Sequence, residues 1–143
     1  MKKLILLLAV ITFNSFAACV DLSGVYPLCR SHNNDLIEGV DMRVRKIDVP
    51  HNTFYEFDFL PDGDSTREKV LFPANGVQVK VDEYTTISAR CLGNLLQVRR
   101  TVVKENSATI NETSQYYKQG DALVRISRGT IGTYKYRDIL TCR

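Results

Sequence analysis

The stretch Tyr55-Glu56-Phe57-Asp58-Phe59 alternates aromatic and acidic side chains with a strict period of two. Successive side chains of a β-strand point to opposite faces, so the stretch predicts a strand with an aromatic buried face and an acidic wet face. Similar alternation recurs around residues 40–44, 77–81, 87–91, 96–98, 122–126 and 134–140. In residues 122–127, the apolar set Ala122, Val124 and Ile126 alternates with Leu123, Arg125 and Ser127. The chain is therefore predicted to be all-β.

Turn signals separate these segments at short intervals. Gly93-Asn94 and Gly120-Asp121 lie between strand-like runs and predict tight hairpins. Asn75-Gly76 predicts another hairpin because both residue types tolerate a positive φ. Short strands joined by hairpins predict an antiparallel meander, and a meander of about eight to ten strands hides its edges best by closing on itself. The sequence predicts a single β-barrel domain over residues 18–143.

The first seventeen residues have a different composition. Lys2 and Lys3 precede an apolar run from Leu4 to Phe13, and small residues follow at Ser15 and Ala17. This order predicts a secretory signal peptide over residues 1–17, and hence a periplasmic or extracellular protein. The run is shorter than the roughly 20 residues that a membrane-spanning helix needs, and no later stretch is longer, so no transmembrane segment is predicted.

A second processing route also fits this end of the chain. Phe16-Ala17-Ala18-Cys19 resembles the lipobox of bacterial lipoproteins, in which the cysteine is acylated and anchors the protein to a membrane. An ordinary cut after Ala17 leaves four cysteines, an even number that predicts two disulfides in an exported chain. Acylation of Cys19 would leave one of the other three cysteines without a disulfide partner. The cysteine count therefore favours the soluble product over the lipid anchor.

Charge and motif content exclude several classes of function. Loss of Lys2 and Lys3 with the leader lowers the formal charge from +3 to +1, which gives no basic excess for nucleic acid. His32 and His51 are the only histidines, they lie far apart, and no CxxC pair is present. These features predict neither a metal site nor a cofactor. No nucleophile-elbow motif is present, and the protein is not expected to be an enzyme.

Aromatic side chains are the candidate ligand-binding groups. Inward-facing aromatics with hydroxyl groups would line a ligand cavity in a wide barrel, and would fill the interior of a narrow one. Basic side chains near the C-terminal strands fit either an anionic ligand or mixed surface charge. The aromatic candidates are Tyr55, Phe57, Phe59, Tyr134 and Tyr136, and the basic set is Arg99, Arg100, Arg125, Arg128, Lys135 and Arg137.

Gly24-Val25-Tyr26 resembles the Gly-x-Trp signature that opens lipocalins, with Tyr26 in the tryptophan position. The resemblance implies a lipocalin-like barrel in which Tyr26 plugs the closed end. It also implies that a basic residue of the last strand, Arg137 or Lys135, packs across that ring in a cation–π contact. The function implied is the non-enzymatic binding of a small apolar or amphipathic molecule.

Closure of such a barrel would make its first and last strands neighbours, which favours the disulfides Cys19–Cys142 and Cys29–Cys91. The pairing Cys19–Cys29 with Cys91–Cys142 fits if the chain bends between Cys19 and Cys29. Two other functions fit a small disulfide-bonded barrel. One is a protein-binding barrel, such as a periplasmic inhibitor of lysozyme or of a protease, acting through residues 31–36 or 61–67. The other is a structural envelope lipoprotein anchored through Cys19.

Overall fold

Eleven strands and no helix make up the part of the chain that the computed structural model describes, which is residues 18–32, 41–60 and 68–143. The predicted all-β fold is therefore confirmed. The predicted signal peptide and most of the two predicted partner-binding loops lie outside the described residues. The strands are β1 (Gly24–Tyr26), β2 (Cys29–Ser31), β3 (Asp41–Val49), β4 (Asn52–Leu60), β5 (Glu68–Pro73), β6 (Asn75–Lys80), β7 (Thr85–Leu92), β8 (Leu95–Val102), β9 (Ile110–Gln119), β10 (Ala122–Ile131) and β11 (Tyr134–Cys142).

These strands form two antiparallel sheets. The short sheet has the order β1-β3-β4-β5, and the long sheet has the order β2-β11-β10-β9-β8-β7-β6. Most neighbours are consecutive in the chain, as the predicted meander requires. Among the described strands, neither sheet closes on itself by hydrogen bonds. The single closed barrel thus stays a prediction, and what the strands form is a pair of sheets.

Two of the three predicted hairpins are confirmed. Gly93 has a φ of 60° between β7 and β8, and Gly120 has a φ of 61° between β9 and β10. The hairpin predicted at Asn75-Gly76 is wrong, because β5 ends in the short sheet and β6 begins in the long sheet at Asn75. Gly76, with a φ of 82°, lies instead where the β6–β7 register shifts. The positive φ that glycine tolerates therefore accompanies a register shift at the start of β6, where the chain has just changed sheets, and not a hairpin turn.

The hydrophobic core lies between the two sheets. Met42, Phe57 and Phe72 of the short sheet and Leu96 and Leu123 of the long sheet belong to one buried cluster. Each of these side chains is no more than 4 % exposed. The strands therefore turn one face to the core, as half-buried antiparallel strands do. Two residues on the opposite faces are also buried, namely Asp58 of β4, on the face predicted to be wet, and Val124 of β10, at 8 % and 4 % exposure.

Two tyrosines hold the N-terminal segment against this core. The Tyr26 hydroxyl donates to the Leu22 carbonyl at 2.9 Å, and the Tyr55 hydroxyl donates to the Val20 carbonyl. Both rings are buried, at 3 % and 0 % exposure. Their hydroxyls satisfy backbone carbonyls that would otherwise lack a partner in the interior. Burial also raises the pKa of both hydroxyls above the usual tyrosine value.

All four cysteines form disulfides, as expected, but the expected pairing is wrong. The bonds are Cys19–Cys91 and Cys29–Cys142. The physical reason is that β2, rather than the segment before β1, lies beside the last strand. Cys29 and Cys142 are direct partners in the β2–β11 register, which leaves Cys19 to meet Cys91 of β7. The Cys19–Cys91 bond ties the N-terminal segment to the long sheet.

Candidate ligand cavity between the sheets

The inner face of the long sheet carries a polar network built from neighbouring rows of cross-strand partners. In the first row, Arg100 of β8 pairs with Glu112 of β9, Glu112 with Gly129 of β10, and Gly129 with Tyr136 of β11. The Tyr136 hydroxyl donates to Glu112 Oε2 at 2.6 Å, and the Arg100 guanidinium lies 3.7 Å from Glu112 Oε1. One carboxylate therefore links three strands.

Gly129 makes the contact between Tyr136 and Glu112 geometrically possible. A Cβ atom at position 129 would lie 2.3 Å from the Asn111 carbonyl oxygen and 2.9 Å from the Tyr136 hydroxyl oxygen. Both distances are below van der Waals contact. Because glycine has no side chain, the Tyr136 ring can cross β10 and reach Glu112 on the far side. Glycine is thus required at position 129 because the Tyr136 ring approaches the β10 backbone closely.

The second row is formed by Val98, Ser114, Ser127 and Asp138, again as direct cross-strand partners. The Ser114 and Ser127 hydroxyls are 2.7 Å apart, and the two residues are 1 % and 0 % exposed. Ser114 also lies 3.1 Å from Glu112 Oε1, to which it donates. Each buried hydroxyl thus has a partner, and the serine pair joins the second row to the first.

Arg125 continues the network toward the edge strand β2. Its Nη2 atom donates to Asp138 Oδ2 at 2.9 Å, and Ser31 Oγ donates to Asp138 Oδ1 at 2.6 Å. Burial disfavours the charge of Asp138, but the bonds from Ser31 and Arg125 and the Arg125 charge outweigh burial. The pKa of Asp138 consequently lies below its usual range. The ion pair is partly buried, with both side chains less than a quarter exposed.

Aromatic rings cover the opposite wall. Phe57 stacks on Phe59 and Phe72, with centroids 6.2 and 5.5 Å away, and meets the edge of Tyr116 at 5.0 Å. Phe57, Phe59 and Phe72 belong to the short sheet, whereas Tyr116 lies on β9 beside the polar rows. Burial raises the pKa of the Tyr116 hydroxyl. The aromatic cluster therefore bridges the two sheets next to the charged groups.

Between these walls lies a cavity of about 240 Å³. One side is mainly apolar and aromatic, and the other side carries two guanidinium groups, a carboxylate and hydroxyls. The lining residues that carry these groups are Phe57, Phe59, Phe72, Arg100, Glu112, Ser114, Tyr116 and Arg125. The carboxylates of Glu68 and Asp82 also line the cavity.

Two donors in this wall have no acceptor among the described residues. The Nε–H groups of Arg100 and Arg125 are both buried, and neither donates a hydrogen bond to that part of the protein. A buried donor without an acceptor costs about 1–3 kcal/mol, and nearly all such groups in folded proteins bond to protein, water or ligand. The two N–H groups are therefore available to an acceptor that enters the cavity.

The titration of Tyr136 reflects its position in this network. Burial, then the hydrogen bond to Glu112 and the Glu112 charge, raise the pKa of Tyr136 to about 12. The phenol therefore stays protonated and remains a donor to the carboxylate over the whole physiological range. The donor of the Tyr136–Glu112 bond is therefore unchanged near neutral pH.

The predicted aromatic ligand residues separate into three groups. Phe57 and Phe59 lie in the cavity wall, and Tyr136 lies in the adjoining polar network. Tyr55 is fully buried beside the N-terminal segment, and its hydroxyl is occupied by the Val20 carbonyl. Tyr134 is 68 % exposed, one cross-strand row beyond Tyr136. The structure thus brings together three of the five, because Phe57 and Phe59 line the cavity and Tyr136 adjoins it.

The predicted plug residues lie on different sheets. Tyr26 is buried on β1 of the short sheet, and Arg137 is exposed on β11 of the long sheet. Gly24 packs closely on the Tyr26 ring, since a Cβ there would lie 2.9 Å from the phenol. The Gly-x-Tyr triplet is therefore a local packing unit, and the role of Arg137 at the ring stays a prediction.

The polar network itself has no counterpart among the predicted sites. Arg100 and Arg125 belong to the basic set near the C-terminal strands, yet nothing in the sequence distinguishes them from outward-facing Arg99 and Arg128. Their partners Glu112 and Asp138 come from other strands. One sequence feature could have identified Arg125 as inward-facing. In the alternation of residues 122–127, Arg125 shares a face with Leu123 and Ser127, which are buried.

Comparison with family models, curated proteins and solved structures gives no match for this chain. Within the described residues, no group of three or more histidine, cysteine or acidic side chains is placed to hold a metal ion. The same part of the chain contains no helix with the length and apolar character needed to cross a membrane.

Proposed function

We propose that the protein is an exported, non-enzymatic binding protein that holds a small amphipathic ligand between its two sheets. One observation carries the proposal, namely a cavity with three phenylalanines on one wall and two unpartnered guanidinium N–H groups on the other. Ligand sites are usually apolar clefts with a few placed polar groups, and this cavity has that composition.

The dimensions of the cavity restrict the ligand. Its volume of about 240 Å³ lies just below the roughly 300 Å³ at which drug-sized sites begin. A compact ligand with a ring or a short hydrocarbon part fits the phenylalanine wall. A carboxylate or similar acceptor on the same ligand would take the N–H groups of Arg100 and Arg125. Arginine suits this role because its planar fork matches a carboxylate.

In this proposal the two sheets act as the walls of a lipocalin-like barrel, and the predicted leader exports the chain. Two disulfides fit an oxidising compartment. The sulfur of Cys19 is bonded to Cys91, which supports the form without a lipid on that cysteine. Export, the lipocalin-like character and the ligand are all parts of one testable hypothesis.

Binding of 4-phenylbutyrate, which combines a ring with a carboxylate, tests the proposal. Methyl NMR of the oxidised protein should show contacts from the probe ring to Val70 and Ile87, which line the cavity. Replacement of the carboxylate by a primary alcohol should weaken binding, because the neutral group is a poorer acceptor for guanidinium.

Arg100→Gln should weaken binding of the carboxylate probe several-fold, since it removes one of the two unpartnered donors. Arg99→Gln is the matched control, because Arg99 is the exposed neighbour on the opposite face of β8. The proposal fails if the probe makes no contact with Val70 or Ile87, or if the two variants weaken binding equally.

A further inference from the structure

The outer face of the long sheet carries an apolar patch where a solvent-facing sheet would be polar. Val124 of β10 is only 4 % exposed, yet it is absent from the core cluster that contains its neighbour Leu123. Ala122 and Ile126 share its side of the strand, by the alternation of β10. The apolar set of this strand therefore faces away from the core.

Val124 of this patch lies in the floor of a groove. Val124 has Tyr117 of β9 and Thr141 of β11 as its direct partners, and Thr141 pairs with Arg30 of β2. The short side chains in the middle of this row lie between the long side chains of Tyr117 and Arg30. The result is a groove of about 490 Å³, which Ile139 also lines.

The groove is basic along one side. Arg30, His32 and Arg143 line it, and a hydrogen bond joins His32 Nε2 and Thr141 Oγ1 at 3.0 Å. Among the described residues, no carboxylate side chain lines the groove. The inner cavity differs, because its arginines are paired with Glu112 and Asp138. Within the described part of the chain, the lining of the outer groove therefore has basic side chains and no acidic side chain.

We propose that this groove binds a single-chain anionic amphiphile, with its carboxylate at Arg30 and Arg143 and its hydrocarbon over Val124. An apolar floor and a cationic wall on one side match the two ends of such a molecule. The site is separate from the cavity, since it lies on the opposite face of the same strands. It goes beyond the proposed function and does not depend on it.

Titration with decanoate tests the groove. Intermolecular NOEs should connect the alkyl chain to the methyl groups of Val124 and Ile139. Decyltrimethylammonium, with the same chain and the opposite charge, should bind more weakly, and acetate should not bind measurably. Contacts of decanoate only with the Val70 and Ile87 methyls would overturn the groove proposal while supporting the cavity.

Charge removal supplies the second arm of the test. Arg30→Gln and Arg143→Gln should each weaken decanoate binding by about two- to fivefold, the effect of one exposed ion pair. Arg128→Gln is the matched control, because Arg128 is exposed on the outer face of β10 but does not line the groove. Equal weakening by all three substitutions would mean that decanoate responds only to the net charge of the protein. That outcome would refute the proposed head-group site.

Discussion

Gly129 provides the sharpest test of the polar network, because one added methyl group should disrupt it. In Gly129→Ala, the new Cβ would lie 2.3 Å from the Asn111 carbonyl oxygen and 2.9 Å from the Tyr136 hydroxyl oxygen. The carbonyl belongs to β9, whose pairing with β10 restrains it. The Tyr136 ring is the part that can move, and its movement breaks the 2.6 Å bond to Glu112.

The expected cost combines three contributions. Overpacking a fitted interior costs about 1–3 kcal/mol. Loss of a hydrogen bond to a charged group costs about 1.5–3 kcal/mol. Alanine recovers about 0.5–1 kcal/mol, because glycine loses more backbone entropy on folding. Gly129→Ala should therefore lower the free energy of unfolding by about 1.5–5.5 kcal/mol, a large fraction of the stability of a small domain.

Urea unfolding with the disulfides intact measures this cost. With a slope of about 2 kcal/mol/M, the midpoint should fall by about 1–3 M. Tyr136→Phe removes the hydroxyl alone and should cost about 1.5–3 kcal/mol, because the hydroxyl bonds to a charged group. The double variant should lose less stability than the sum of the two single variants, since both substitutions remove the same bond. A wild-type midpoint for Gly129→Ala, or full additivity, would refute the network as described.

Three further outcomes are expected. Phe57→Ala should lower the free energy of unfolding by about 3–5 kcal/mol, measured by urea unfolding, because it opens the aromatic cluster. Non-reducing peptide mapping should recover Cys29 linked to Cys142, and replacing both by alanine should cost about 4–5 kcal/mol from loop closure. The pKa of Asp138 lies below its unfolded value, so its stabilisation is complete above about pH 4 and is lost as the pH falls further. In a series of unfolding curves, Asp138→Asn should cost about 1–2 kcal/mol at pH 7 and much less at pH 2.

Strand formation follows from local pattern, and so do the faces of most strands. In residues 55–59 the aromatic set faces the core, because no apolar residue competes on the other side. Residues 122–127 are different, since Leu123 and Val124 give each face an apolar member. Arg125 can lie inside only because Asp138 and Ser31 meet it from two other strands. Such long-range partners are not visible in a local pattern.

The disulfide pairing depends on a break that alternation does not reveal. Pro27 lies between β1 and β2, and proline has no N–H to continue a ladder. The chain changes sheets there, so β1 pairs with β3 and β2 pairs with β11. Placing the strand at residues 21–26 beside the last strand brings Cys19, rather than Cys29, near Cys142. The correct disulfide pairing requires knowing that β1 joins the short sheet and that β2 joins the long sheet.

The polar rows are the part of the inner face that the fold does not require. The same sheet also carries Leu96 and Val98, so apolar partners serve equally well at neighbouring positions. Replacing buried ion pairs by apolar side chains often leaves stability unchanged or raises it. Here the network also leaves two arginine N–H groups without acceptors. A ligand that supplies those acceptors should raise the free energy of unfolding by about 2.7 kcal/mol at a hundred times its Kd. Stability and ligand binding should therefore be coupled through Arg100 and Arg125.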